Sequence, residues 1–136
     1  MTLTALKVYF SHPINSMSEE YINAMHNIST QLSEVGFEIL PYADKIKKKL
    51  SDSDIYHYDM AQIAACDLLV CIVDKGSTGV GMEIKEALHI GKSVIAFHLN
   101  QSHVSPMVTG MKHPKYDCIS IVDYHQIPAI LKSMNH

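Results

Sequence analysis

A single α/β domain built on a parallel sheet is the fold class that three features of this chain predict. Short apolar runs alternate with helix-length segments along the whole 136-residue sequence, the pattern of successive βαβ units. The densest run, Leu68-Leu69-Val70-Cys71-Ile72-Val73, reads as a buried strand. It is followed closely by Ser77-Thr78-Gly79-Val80-Gly81-Met82-Glu83, a Gly-rich turn that opens a helix. Such a turn belongs at the carboxyl edge of a parallel sheet, where open α/β folds bind ligands.

The elements follow in order. Ala5 to Phe10 is a compact apolar run and predicts the first strand; Met17 to Val35 carries apolar residues at helical spacing and predicts a helix. Glu38 to Leu40 is a short strand, and Ser53 to Ala65 is a helix capped by Ser53 or Asp52. After the strand from Leu68, a helix containing Glu83 in its first turn runs to about Gly91. Ser93 to Phe97 and Cys118 to Val122 are the fourth and fifth strands, and Gln126 to Met134 is a closing helix. The polar, Lys-rich spacer from Pro41 to Asp52 is expected to be a mobile loop beside the site. The result is a Rossmann-like or flavodoxin-like sandwich, one domain over residues 1–136, with a five-stranded parallel sheet flanked by helices.

Composition narrows the function classes. With 47% hydrophobic and 18% charged residues the chain is an ordinary globular domain, too short for a second one. A formal charge of −3 argues against nucleic acid polymers and anionic membranes as partners, and the basic run from Lys45 to Lys49 reads as a solvated helix face. No apolar run approaches the roughly 18 residues of a membrane span, and no signal-peptide pattern precedes the first strand, so a cytoplasmic protein is expected. Cys66, Cys71 and Cys118 are odd in number and two lie in or beside apolar strands, which favours buried thiols over a disulfide framework. The nine histidines form no HxxxH or HExxH spacing, so neither a metal nor any other cofactor is expected.

Three side chains stand out near the sheet edge. Glu83, at the start of its helix, is favoured as an ionised carboxylate by the helix dipole and is a candidate nucleophile or base; complementing that dipole would be its other role. Tyr9 emerges beside the Gly79 turn if the first and third strands are adjacent, as a catalytic hydroxyl or as a packed strand aromatic. Asp59 lies in the helix feeding the third strand, where it is either a site carboxylate or an exposed helix charge.

Taken together, Tyr9-Phe10 before a turn, Asp59 in Asp54-Ile55-Tyr56-His57-Tyr58-Asp59, Cys66-Asp67 opening an apolar strand, and Gly79-Val80-Gly81-Met82-Glu83 followed by Ala87 resemble the nucleoside 2-deoxyribosyltransferase superfamily. The resemblance extends from Lys7 to Asp123-Tyr124. It implies cleavage of an N-glycosidic bond through a covalent glycosyl-enzyme. Glu83 would attack the anomeric carbon, Asp59 would handle the proton on the departing base, and Tyr9 would hold the nucleophile and contact the sugar.

Two positions bear on the substrate. In the transferases an acidic residue six places before the nucleophile receives the sugar 5′-hydroxyl; here that place is Ser77. A second contact there is an Asn from a neighbouring subunit, in a segment matching Ser105-Pro106-Met107, so Ser105 and Met107 are expected to complete the site across a homodimer. A carboxylate about 4 Å from a phosphate charge costs roughly 4 kcal/mol at an effective dielectric near 20, about a thousandfold in affinity. Serine removes that repulsion and supplies a donor, while Gly79, Gly81 and the helix N-terminus add amides suited to an anion. The pattern is most similar to the 2′-deoxynucleoside 5′-monophosphate N-glycosidases. On the other side of the site the chain departs from them, with Ser11-His12-Pro13-Ile14-Asn15-Ser16 where those relatives place Gly, Ser and often Arg; Ser11, Asn15 or Ser16 would then meet the phosphate, and His12 and Ile14 the base. A deoxyribosyltransferase and a nucleotide-binding module without turnover are the alternative readings.

Overall fold

The computed structural model describes residues 5–13, 17–41 and 50–134. Ile14, Asn15, Ser16, the Lys45-to-Lys49 run and most of the Pro41-to-Asp52 spacer therefore lie outside the described residues. The elements are β1 (Lys7–Ser11), α1 (Glu19–Glu34), β2 (Glu38–Leu40), α2 (Asp52–Ala65), β3 (Leu68–Ile72), α3 (Thr78–His89), β4 (Ser93–Leu99), α4 (Pro106–Thr109), β5 (Tyr116–Ile121), a 3₁₀ turn (Tyr124–Gln126) and α5 (Ile127–Met134).

All strand pairings are parallel, in the order β2-β1-β3-β4-β5. The five-stranded parallel sheet expected from the alternating pattern is thus present, in the flavodoxin-like order. From β1 the chain moves outward to β2, then returns past β1 to β3 and continues to β5. The connections leave β1 and β3 in opposite directions, which opens a crevice at their carboxyl ends.

Period-two alternation along the strands sorts side chains into two cores. Val8, Phe10, Val70, Ile72 and Phe97 pack with Met25, Ile28 and Leu32 of α1 and with Ile127 and Leu131 of α5. Tyr9, Leu69, Cys71, Val94 and Ala96 pack on the other face with Ile63 of α2 and Val80, Ile84, Ala87 and Leu88 of α3. Every residue of β3 is buried, as its unbroken apolar sequence requires.

Local chemistry sets the element ends. Ser18, Ser51 and Ser77 cap α1, α2 and α3, each Oγ accepting an amide N–H from three residues ahead. The cap of α2 is therefore Ser51, upstream of the expected Ser53 or Asp52, and Asp52 and Asp54 instead sit in the first turn, where they complement the dipole. Gly36 and Gly91, at φ +109° and +88°, end α1 and α3 in the left-handed conformation that a side chain resists. β4 continues two residues past Phe97 and β5 begins two residues before Cys118, because Val94 pairs with Tyr116 and Leu99 with Ile121. The single turn α4 is too short to leave a periodic signal.

Candidate active site

One strand supplies two hydroxyls to two helices at the β1/β3 crevice. Tyr9 and Ser11, two residues apart, share a face of β1 and stand in register with Leu69 and Cys71 of β3. The Tyr9 hydroxyl donates to Asp59 Oδ1 of α2 at 3.0 Å. Ser11 Oγ donates to Glu83 Oε1 of α3 at 2.5 Å, a buried contact between residues 72 apart in sequence. Tyr9, Ser11, Asp59 and Glu83 are thereby gathered at one place, with Glu83 only 7% exposed.

The electrostatics follow from that burial. Loss of water around Glu83 pushes its carboxyl from an ordinary 4.5 up to about 7, against the hydrogen bond from Ser11 and with a smaller contribution from the charge of Asp59. This corrects the expectation of a fully ionised first-turn carboxylate. The helix begins at Thr78, its first turn holds no acidic residue, and Glu83 lies in the second turn, where the dipole has faded and desolvation dominates. Asp59 is also raised by burial, while the Tyr9 hydrogen bond opposes the rise. Burial, followed by the charges of Glu83 and Asp59, holds the Tyr9 hydroxyl well above its ordinary range, so it remains a donor. Its one proton is given to Asp59, and Ser11 makes the contact with Glu83 that the resemblance assigns to Tyr9.

The expected anion side is the N-terminus of α3. Ser77 Oγ accepts from Val80 N at 3.2 Å, and the first-turn amides of Thr78 and Gly79 precede any intrahelical acceptor. Among the described residues, and apart from its chain neighbours and the helix's own backbone, a Cβ at Gly81 would meet nothing within 4 Å and one at Gly79 only Ser77 Oγ at 4.0 Å, so the glycines leave space beside this turn. Ser105 caps α4 and accepts from Met107 N at 3.2 Å, while Met107 is 82% exposed. Among the described residues, the hydrogen bonds of Ser105 stay within its own turn. His12 is not gathered with the four: its buried ring packs against Phe10 and Tyr21, on the α1 face of the sheet. A cleft of about 530 Å³ lined by Tyr56, Met60, Met82, Lys85, His89 and Met111, among others, contains none of the four.

Sequence reading missed a second buried carboxyl. Asp74, just beyond β3, accepts from Leu99 N at 2.5 Å and from the Tyr124 hydroxyl. The neighbouring Tyr21 hydroxyl is raised by burial and by the charge of Asp74. An acid ending an apolar strand was the available signal, but its partners lie 25 and 50 residues away. Among the described residues no group of three or more His, Cys, Asp or Glu side chains is placed to hold a metal ion, and the three cysteines are free. No helix among them is long and apolar enough to cross a membrane.

Residues 6–96 match the family described as domain of unknown function (DUF4406). The chain belongs to this family. The DUF4406 match contains Tyr9, Ser11, Asp59, Ser77 and Glu83 and ends within β4. A Methanosarcina mazei protein named "Putative 2′-deoxynucleoside 5′-phosphate N-hydrolase 1" is 35% identical over 85 residues, covering 58% of this chain and 53% of that protein. The alignment thus spans about half the length of that relative. A Thermofilum pendens protein of the same name is 28% identical over 136 residues, covering 95% and 94%. Among solved structures, the Clostridium botulinum CMP N-glycosidase superposes with a TM-score of 0.75 at 18% identity, covering 94% of this chain and 98% of that one. A 2-deoxyribosyltransferase from Bacillus psychrosaccharolyticus gives 0.68 at 18% identity, covering 90% of each. At those identities the two structures establish a common fold for this DUF4406 chain.

Proposed function

We propose that this protein hydrolyses the N-glycosidic bond of a 2′-deoxynucleoside 5′-monophosphate, giving free base and 2-deoxyribose 5-phosphate. The observation that carries the reading is the buried Glu83 carboxyl, held by Ser11 beside the Tyr9–Asp59 pair at the switch point of the sheet. The names of the Methanosarcina mazei and Thermofilum pendens relatives support the substrate class.

Ionised Glu83 attacks C1′ as the C–N bond breaks and its electron pair leaves with the base. Asp59 acts as the general acid, giving a carboxyl proton to the departing base; burial shifts its carboxyl in the direction this role needs. Water then gives a proton to the Asp59 carboxylate as its oxygen attacks C1′, and the C1′–O bond to Glu83 breaks with its electron pair returning to the carboxylate, which restores both groups. Burial that makes the carboxylate costly also leaves it poorly solvated and reactive toward an oxocarbenium-like centre. Ser77 and the first-turn amides of α3 bind the 5′-phosphate, and Ser105 with Met107 of a second copy completes the site, making the active unit a homodimer. Incubation with a panel of deoxynucleoside monophosphates, with and without a second free base, tests the proposal. Release of free base alone is expected; an exchanged base would identify a transferase, and no product a binding module.

A further inference from the structure

Ser11 is the site residue whose role the comparison of hydroxyls decides. A serine hydroxyl carries one proton and two lone pairs. In this structure the proton is committed to Glu83 Oε1 at 2.5 Å, and Ser11 is itself only 7% exposed. A hydroxyl so engaged offers a phosphate only its lone pairs, which repel an anion. The expected phosphate contact from Ser11 and the observed contact with Glu83 are therefore mutually exclusive uses of one hydrogen atom.

We propose that Ser11 is a positioning residue for Glu83, fixing the orientation of the carboxyl and sustaining its ionised form, and that it takes no part in binding phosphate. The inference deepens the glycosidase reading and rests on it for the kinetic consequence alone. Ser11 is well placed for this task. It ends β1 in register with Cys71 of β3, so its backbone is fixed by the sheet. Its side chain spans from the strand to the second turn of α3 and binds the Oε1 oxygen of the carboxyl. Among the described residues, the titratable groups facing Glu83 from the surrounding elements are Tyr9 of β1, Asp59 of α2 and Cys71 of β3. The influence that opposes desolvation at Glu83 is the Ser11 hydrogen bond. A donor to the charged form lowers a carboxyl pKa, and its loss raises it.

The experiment compares the parent with Ser11→Ala and Ser11→Thr in two readouts. The first is the titration of the Glu83 side-chain carboxyl, followed by carbon NMR of glutamate-labelled protein without substrate and assigned with Glu83→Gln. In Ser11→Ala the midpoint is expected to rise by about one to two pH units, the value of a hydrogen bond to a charged group. Ser11→Thr, which keeps the hydroxyl, should titrate as the parent does. The second readout is steady-state base release. Ser11→Ala should lower kcat near neutral pH roughly tenfold or more and move the ascending limb of the pH profile upward, with KM for the nucleotide unchanged. An unchanged Glu83 midpoint in Ser11→Ala, or equal displacement in both variants, would overturn the proposal. So would a raised KM for nucleotides with kcat intact, the signature of a phosphate ligand. If the parent releases no base, the glycosidase reading fails, and the carboxyl titration still decides whether Ser11 governs Glu83.

Discussion

Replacing Glu83 with Gln should stabilise the fold, and the gain should depend on pH. The raised Glu83 carboxyl means that the folded state binds this proton more tightly than the unfolded chain. The sign follows: the stability tied to the proton is fully present below the ordinary value of 4.5 and is lost as pH rises through about 7. At about 1.4 kcal/mol per pH unit, the interval from 4.5 to about 7 amounts to about 3 kcal/mol. Glutamine has nearly the same shape, keeps an oxygen for the Ser11 hydroxyl and never ionises. Urea unfolding of parent and Glu83→Gln should therefore coincide near pH 4 and diverge to about 3 kcal/mol by pH 8, roughly 10 °C in Tm for a domain of this size. A difference that stays flat across this range would refute the assignment of desolvation as the cause. A stabilised but inactive variant would show a buried catalytic group held at the expense of the fold.

Three further outcomes are expected. Ser77→Asp should impair nucleotide cleavage more than Ser77→Ala, by up to a thousandfold in kcat/KM, because it adds repulsion to the loss of a donor; equal loss on nucleosides would remove Ser77 from phosphate binding. The parent should cleave dCMP faster than CMP and dGMP faster than GMP, and Tyr9→Phe should slow turnover and relax the preference; equal rates on each pair would contradict the role of Tyr9 against the sugar. Mixing Ser105→Ala protomers with Glu83→Ala protomers should restore part of the activity, since one site of the mixed dimer then keeps both residues; sedimentation as a fully active monomer would exclude a site completed in trans.

The alternation of apolar runs and helical segments, with the turn at Ser77 to Gly81, put Glu83 at the sheet edge; Tyr9 joined it only on condition that the first and third strands are adjacent, and Asp59 was tied to them by the resemblance. Each is carried by an element whose pattern is local, and the parallel sheet does the rest. Which hydroxyl meets which carboxyl was not legible. Tyr9 and Ser11 share a strand face, and only the positions of α2 and α3 across that face give Asp59 to the first and Glu83 to the second. The ionisation of Glu83 was misjudged for a related reason: position along a helix is written in the sequence, but depth beneath neighbouring elements is not. The distribution of His12 and Glu83 to opposite faces of the sheet also depends on how the chain turns after β1.

The carboxyl of Asp74 has a consequence for how the molecule opens. It joins the end of β3 to the amide of Leu99 at the end of β4 and to Tyr124 beyond β5. Detaching the segment that follows β4 would strip the Tyr124 hydroxyl from a group that is 7% exposed, at a cost of about 1–3 kcal/mol for the partner left behind. Fraying of the β5 edge is thereby tied to the integrity of the central strands, and the two belong to one cooperative unit. In hydrogen exchange, the Leu99 amide and the amides of β5 should open together, and Tyr124→Phe should release the β5 amides to exchange ahead of those in β3.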